Sequence, residues 1–324
     1  MLWLEFAVYF VLIIILGWKL SVMADKLSDA KNLGKGAVGF ILLGFATSLP
    51  ELITTLTSVL HLDNSSLGAG NIIGSNNANM FILFLSLLTV TTLMKGARVD
   101  RESLVSVAIF FITMGIFLVG VSLGGKPEIF GFSPYGYLIL GMFFLSIMAL
   151  KKEGHDNKKE DEAKGDLIND KLGAFFYIIL VVVVSGLVAV SYNLSIVVDN
   201  IAQIYKWNPT SVGALFLAWA TSLPELVVTI TAMVIGSAEM GIGNILGSNI
   251  FNLMVLSLAD IFSGRNSKVF DTDPKLLFLS ALLIIMTGGL AYMLSTRNNK
   301  KIFGITVLPA IMVVLYIAGM IFSF

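Results

Sequence analysis

The chain carries the same seven residues, ATSLPEL, at positions 46–52 and again at 220–226. Each copy sets a carboxylate, Glu51 or Glu225, beside two hydroxyls and a proline inside a long apolar run. A carboxylate at the centre of a membrane helix costs about 2.5–3.5 kcal/mol on insertion scales, so such residues are retained for a function. The flanks repeat as well: GNIIGSNNANMF at 70–81 answers GNILGSNIFNLM at 243–254. Glu51 and Glu225 are 174 residues apart and Ser75 and Ser248 are 173 apart, so the chain is an internal duplication.

Thr47 and Glu51 are one helical turn apart on a single face with Ser48 beside them, and Thr221, Ser222 and Glu225 copy this arrangement. In the segments that follow, Ser75 with Asn79 and Ser248 with Asn252 share a face in the same way. Pro50 and Pro224 have no amide hydrogen, and their rings clash with the carbonyls of Ala46 and Ala220, so both helices must kink or break there. Carbonyls freed inside a membrane need a cation, a water or a neighbouring side chain. Gly70 with Gly74, and Gly243 with Gly247, space small residues so that one backbone can approach another. Singly, a proline is a kink, a glycine pair is packing, and Ser, Thr or Asn is an interhelical hydrogen bond. Their recurrence in the same order is what points to a site.

Pooled, these groups make a cage of carboxylates, hydroxyls, amides and carbonyls with no nitrogen or sulfur ligand, which suits hard cations such as calcium and sodium. Two glutamates neutralise one divalent ion. Without it they repel, so sodium ions or protons must replace calcium during the return step, which favours exchange over leakage. The absence of cysteine removes thiolate ligands and nucleophiles, and two histidines, His61 and His155, are too few and too peripheral for a metal site or a triad.

The elements that hold this cage are membrane helices. Of 324 residues 56% are hydrophobic and only 13% charged, more apolar surface than a soluble core could hide. Apolar runs long enough to cross about 30 Å of hydrocarbon centre on residues 2–24, 35–62, 67–94, 104–124, 129–150, 172–194, 211–236, 240–262, 276–295 and 302–324. The first run lacks a basic leader and contains Glu5, so it reads as a retained helix rather than a cleaved signal. Glu5 and Lys19 in that run, and Asp260 and Glu239 further on, read as interfacial. Residues 1–150 and 172–324 form the two repeats, and the charged stretch 151–171 reads as a cytoplasmic tether. With the N-terminus outside, fifteen basic residues fall in inner loops and five in outer ones, which places both termini outside a cell membrane crossed many times. Five helices per repeat is an odd number, so the second copy inserts upside down. The expected fold is an all-α integral membrane protein of ten transmembrane helices in two inverted five-helix repeats, the architecture of secondary transporters. Formal net charge is zero, so nothing argues for a nucleic acid, and no protein partner is evident; the bilayer is the surroundings.

The paired TSLPE and GN-x-x-GS-x-x-x-N segments resemble the two alpha-repeats of the sodium/calcium exchanger family, within the calcium/cation antiporter superfamily, here at 39–82 and 213–255. The resemblance covers essentially the whole chain. It implies a sodium/calcium antiporter, not an enzyme, with Ca2+ and Na+ as transported ions and no cofactor, working by sliding of the first and sixth helices past the core. By resemblance Glu51 and Glu225 are the central carboxylates, with Thr47 and Thr221 next to them. Ser48, Ser222, Ser75 and Ser248 then line flanking sodium sites with the main-chain carbonyls of Gly44 and Ala218, and Asn79 and Asn252 fill the middle. Asn252 stands where some members carry aspartate, and Ala46 and Ala220 stand where glycine is usual. The proton-driven branch carries GNA-x-E at the equivalent place, so TSLPE favours sodium; a proton-driven cation exchanger is the alternative, ahead of a cation channel or an intramembrane enzyme.

Overall fold

The computed structural model describes residues 2–31, 33–61, 64–93, 103–126, 128–129, 133–164, 172–205, 219–264, 268–271, 273–296, 301–302 and 305–323. Helices α1 (Leu2–Lys31), α4 (Ser65–Leu93), α5 (Ser103–Ser122), α7 (Ala174–Ile204), α9 (Ala238–Ser263) and α10 (Pro274–Thr296) each contain an unbroken run long and apolar enough to cross a membrane. The second span is instead two pieces, α2 (Lys35–Thr47) and α3 (Leu49–His61), bent by 44°. Three helices with shorter apolar runs, α6 (Pro134–Lys164), α8 (Leu223–Val234) and α11 (Val307–Ser323), bring the apolar segments among the described residues to ten, the bent pair counted once. Among the described residues the only strands are a two-residue antiparallel ribbon, β1 (Lys301–Ile302) with β2 (Ile305–Thr306), between the last two spans.

Several helices outrun their apolar stretches. α1 continues past residue 24 through Asp25, Lys26 and Asp29 to Lys31, because the hydrogen-bond ladder of a helix does not stop where hydropathy falls. α6 likewise carries its backbone on to Lys164, so the charged stretch expected to be a tether begins as helix; residues 165–171 lie outside those described.

Two large apolar cores, with a small third around Phe251, Met254 and Val255, organise the described residues. The larger joins α4, α5, α6, α9, α10 and α11 through residues such as Phe84, Phe110, Phe117, Leu253 and Met286. The smaller joins α1 and α7 to the broken spans through Ile13, Leu20, Leu43, Leu187, Val198 and Val228. α1 and α7 pack along each other, with Trp3 donating to the Tyr205 hydroxyl at 3.1 Å and Lys31 lying 6.0 Å from the centre of the Tyr177 ring. Much of their remaining surface is exposed Leu, Ile, Val and Phe, as a lipid-facing surface requires. α1 also lies along α8, where a Cβ on Gly17 would meet Val227 at 2.9 Å and the Ser21 hydroxyl donates to the Val228 carbonyl at 2.9 Å.

Candidate cation site

Both prolines break their helices as their chemistry requires. Ser48 (φ −91°, ψ 3°) and Ser222 (φ −86°, ψ 5°) leave the helical region, and Pro50 and Pro224 fall in the first turn of α3 and α8, where a missing N–H costs nothing. Glu51 and Glu225 fall in those same first turns, so the positive end of each helix dipole supports a carboxylate. Just before the first break, residues Gly39–Leu43 wind as a π-helix, a local widening that frequently accompanies functional sites.

The backbone of α2 lies directly on that of α9. A Cβ on Gly39 would sit 2.2 Å from the Met240 carbonyl oxygen, and one on Gly247 would sit 2.2 Å from that of Phe40, so only glycine permits this crossing. The approach brings Thr47 Oγ1 to 3.1 Å from Ser248 Oγ, which in turn donates to the Gly44 carbonyl at 3.3 Å. Gly70 and Gly74 stand at the corresponding places in the first repeat. The segment that repeat symmetry sets opposite them, including Ala218, lies outside the described residues.

Glu51 is 1% exposed and Glu225 fully buried, and each lies within electrostatic reach of the other. Thr221 of the second repeat stands beside Glu51, while Thr47 and Ser48 of the first repeat, together with Ser248 of its own, stand beside Glu225. None of the four carboxylate oxygens accepts a well-aligned hydrogen bond from these nearby hydroxyls. The hydroxyls of Ser48, Ser75 and Ser222 and the amide oxygens of Asn79 and Asn252 are buried and unpartnered too. Buried polar atoms ordinarily find hydrogen bonds. These are nine buried oxygens without a hydrogen-bond partner, eight of them paired by the repeat, and oxygen is the ligand type that hard cations take. Among the described residues no group of three or more His, Cys, Asp or Glu could hold a metal, so two carboxylates surrounded by neutral oxygens are the charge available here.

The structure therefore brings together Glu51, Glu225, Thr47, Ser48, Thr221 and Ser248, and supplies the Gly44 carbonyl at the edge of the set. Asn79 and Asn252 meet the opposite repeat across the interface of α4 and α9, where Asn79 Nδ2 donates to Asn249 Oδ1 at 3.0 Å and Asn252 Nδ2 to Asn76 Oδ1 at 2.9 Å. Ser75 is buried one turn before Asn79.

Other positions had no assigned role in the sequence. Asn71 Nδ2 donates to Thr55 Oγ1 at 3.2 Å, and Asn244 Nδ2 donates to Thr229 Oγ1 at 2.9 Å, so each broken span is tied to the helix that follows it. Asn244 Oδ1 also faces Thr47 Oγ1 at 3.4 Å, linking the repeats. The duplication itself carries the signal, because Asn71 and Asn244 are offset by the same 173 residues as the serines. The extra amide of the first repeat, Asn77, donates to the carbonyls of Ile73 at 2.9 Å and Leu279 at 3.0 Å, anchoring α4 to α10. Asp260, expected at an interface with water, is buried against α6, where its Oδ2 lies 2.8 Å from the place a Cβ on Gly136 would take. The missing side chain of Gly136 makes room for the carboxyl.

The profile of the sodium/calcium exchanger protein family matches residues 1–152 and 172–324. The sodium/calcium exchanger MaX1 of Methanosarcina acetivorans is 26% identical over 300 residues, covering 79% of this chain and 83% of that protein. A membrane protein of Methanocaldococcus jannaschii is 26% identical over 234 residues, 71% of each chain. A solved structure of the sodium-calcium exchanger NCX_Mj superposes with a TM-score of 0.71 at 21% identity, over 97% of both chains, which establishes a shared ten-span fold of two inverted repeats.

Proposed function

The chain belongs to the sodium/calcium exchanger family, and we propose that it exchanges Na+ for Ca2+ across the cell membrane by alternating access to one cage built by Glu51 and Glu225. The observation that carries this reading is the pair of buried carboxylates, drawn from the two repeats into mutual reach, with neutral hydroxyls beside them and no cationic side chain or well-aligned hydrogen bond on their oxygens. One calcium ion matches their charge. Its departure leaves two repelling carboxylates in a low-dielectric setting, and sodium ions, which accept the same oxygens, restore neutrality. An empty cage is the costly state, so the protein changes face loaded with one cation or the other.

Thr47, Ser48, Ser75, Asn79, Thr221, Ser222, Ser248 and Asn252, with the carbonyls of Gly44 and Ala218, serve as the neutral oxygens around the two acids. Residues 1–150 and 172–324 act as the two repeats, joined through 151–171. The excess of basic residues in one set of loops supports an N-terminus and C-terminus outside. α1 and α7, held together at both ends and joined to the remainder through the smaller core, form the unit that moves. The cations are substrates, and the reading calls for neither a catalytic group nor a resident cofactor.

Calcium-45 uptake into proteoliposomes tests it. An outward sodium gradient is expected to drive uptake that vanishes when potassium replaces sodium. Equal uptake under a pH gradient with no sodium would favour the proton-driven alternative, and conductance far above carrier turnover would favour a channel.

A further inference from the structure

The geometry points to Asn76 and Asn249 as positioning residues that turn the amide oxygens of Asn252 and Asn79 toward the cation. This rests on the exchange reading above and deepens it. The four asparagines form two crossed pairs between α4 and α9. Asn76 Nδ2 donates to the Asn249 main-chain carbonyl at 3.1 Å, and Asn249 Nδ2 donates to the Asn76 main-chain carbonyl at 3.5 Å. A carbonyl only accepts, so it takes the nitrogen end of each amide and thereby fixes its orientation. The oxygen end of Asn76 then faces Asn252, and that of Asn249 faces Asn79, and each receives an N–H at 2.9 Å and 3.0 Å. Those bonds fix the second pair in turn. Asn79 and Asn252 have their nitrogens engaged and their oxygens buried without a partner.

The consequence is a polarity that runs one way. Two main-chain carbonyls, whose direction the helices set, determine which end of Asn79 and Asn252 is left over, and that end is the acceptor. A free asparagine amide beside a cation presents oxygen or nitrogen; here the nitrogen is occupied before any ion arrives. The arrangement is twofold, since Asn76 and Asn249 are 173 residues apart, the offset of the repeat. Without its inner partner the outer amide is free to turn, and a cation then meets N–H groups for part of the time. Groups that orient ligands are worth about 10–100-fold in ion affinity.

Asn76→Leu keeps the volume and removes donor and acceptor, whereas Asn76→Asp, in its neutral acid form, offers O–H to the Asn249 carbonyl and oxygen to Asn252. In sodium-driven calcium-45 flux, Asn76→Leu is expected to raise the half-saturating cation concentration by about tenfold while saturating flux stays near wild type, and Asn76→Asp is expected to recover most of the loss. Asn249→Leu gives the same result through Asn79 and serves if Asn76→Leu fails to fold. As a second readout, the rise in melting temperature in detergent on adding CaCl2 or NaCl separately shrinks in the leucine variants and returns in Asn76→Asp. Wild-type half-saturation in the leucine variants, or equal impairment of Asn76→Leu and Asn76→Asp in both readouts, overturns the assignment. If wild-type protein shows no sodium-driven flux, the exchange reading fails, and the melting shifts still decide whether these amides set cation affinity.

Discussion

Gly247→Ala adds one carbon at the point where α2 crosses α9. That carbon would stand 2.2 Å from the Phe40 carbonyl oxygen and 2.7 Å from Phe40 Cα, both main-chain atoms that no rotamer change can move. Ordinary contact begins near 3.4 Å, so the two helices must separate by roughly 1 Å, and overpacking of this kind costs about 1–3 kcal/mol. The stability loss is the lesser effect. Separation carries Thr47 and the Gly44 carbonyl away from Ser248, now 3.1 Å and 3.3 Å distant, and so opens the cage on one side. A misplacement of about 1 Å at a preorganised site costs up to roughly a hundredfold in function. Sodium-driven calcium flux in proteoliposomes is expected to fall by at least about tenfold on that basis. Gly288→Ala in α10, where the added carbon would meet only Phe111 at 3.8 Å, is the matched control and should transport normally. Wild-type flux from Gly247→Ala would refute the argument that backbone contact between α2 and α9 sets the geometry of the cage.

Asn244→Leu deprives the buried Thr229 hydroxyl of its donor at 2.9 Å and removes the oxygen facing Thr47; unfolding in detergent should show a loss of about 1–3 kcal/mol, and an unchanged melting temperature would contradict it. Asp25 accepts from Lys35 Nζ and from the Ser237 hydroxyl, both at 2.5 Å, and so ties the end of α1 to the start of α2 and to the turn before α9. With the pair partly exposed, Asp25→Asn is expected to cost no more than about 1 kcal/mol, in a difference that shrinks as salt rises. A larger, salt-independent loss would show that the contact matters for packing rather than charge.

The sequence was most legible where chemistry leaves few choices. A proline repeated beside a buried acid announces a break, and Glu51 and Glu225 do occupy the first turns after the two breaks. Hydropathy located the spans but not their ends: α1 and α6 run on into charged sequence, and neither residues 25–31 nor residues 151–164 contain a proline to stop the helix. The π-helix at Gly39–Leu43 was not legible, since it answers to the fit of α2 on α9 rather than to local propensity. Asn76 and Asn249 were visible as repeated amides, yet their partners lie across the symmetry of the fold, and no spacing within one helix reveals them. Asp260 misled for the same reason, because the space that buries it is made by Gly136 on another helix.

Exchange at this site depends on two carboxylates sharing one ion. An experimental structure of the protein soaked in CaCl2, with anomalous difference density collected for calcium, tests this directly. One strong peak is expected in contact with both Glu51 and Glu225, absent from Glu225→Gln crystals treated alike. A calcium peak that touches neither glutamate, or one that persists unchanged in Glu225→Gln, would contradict it.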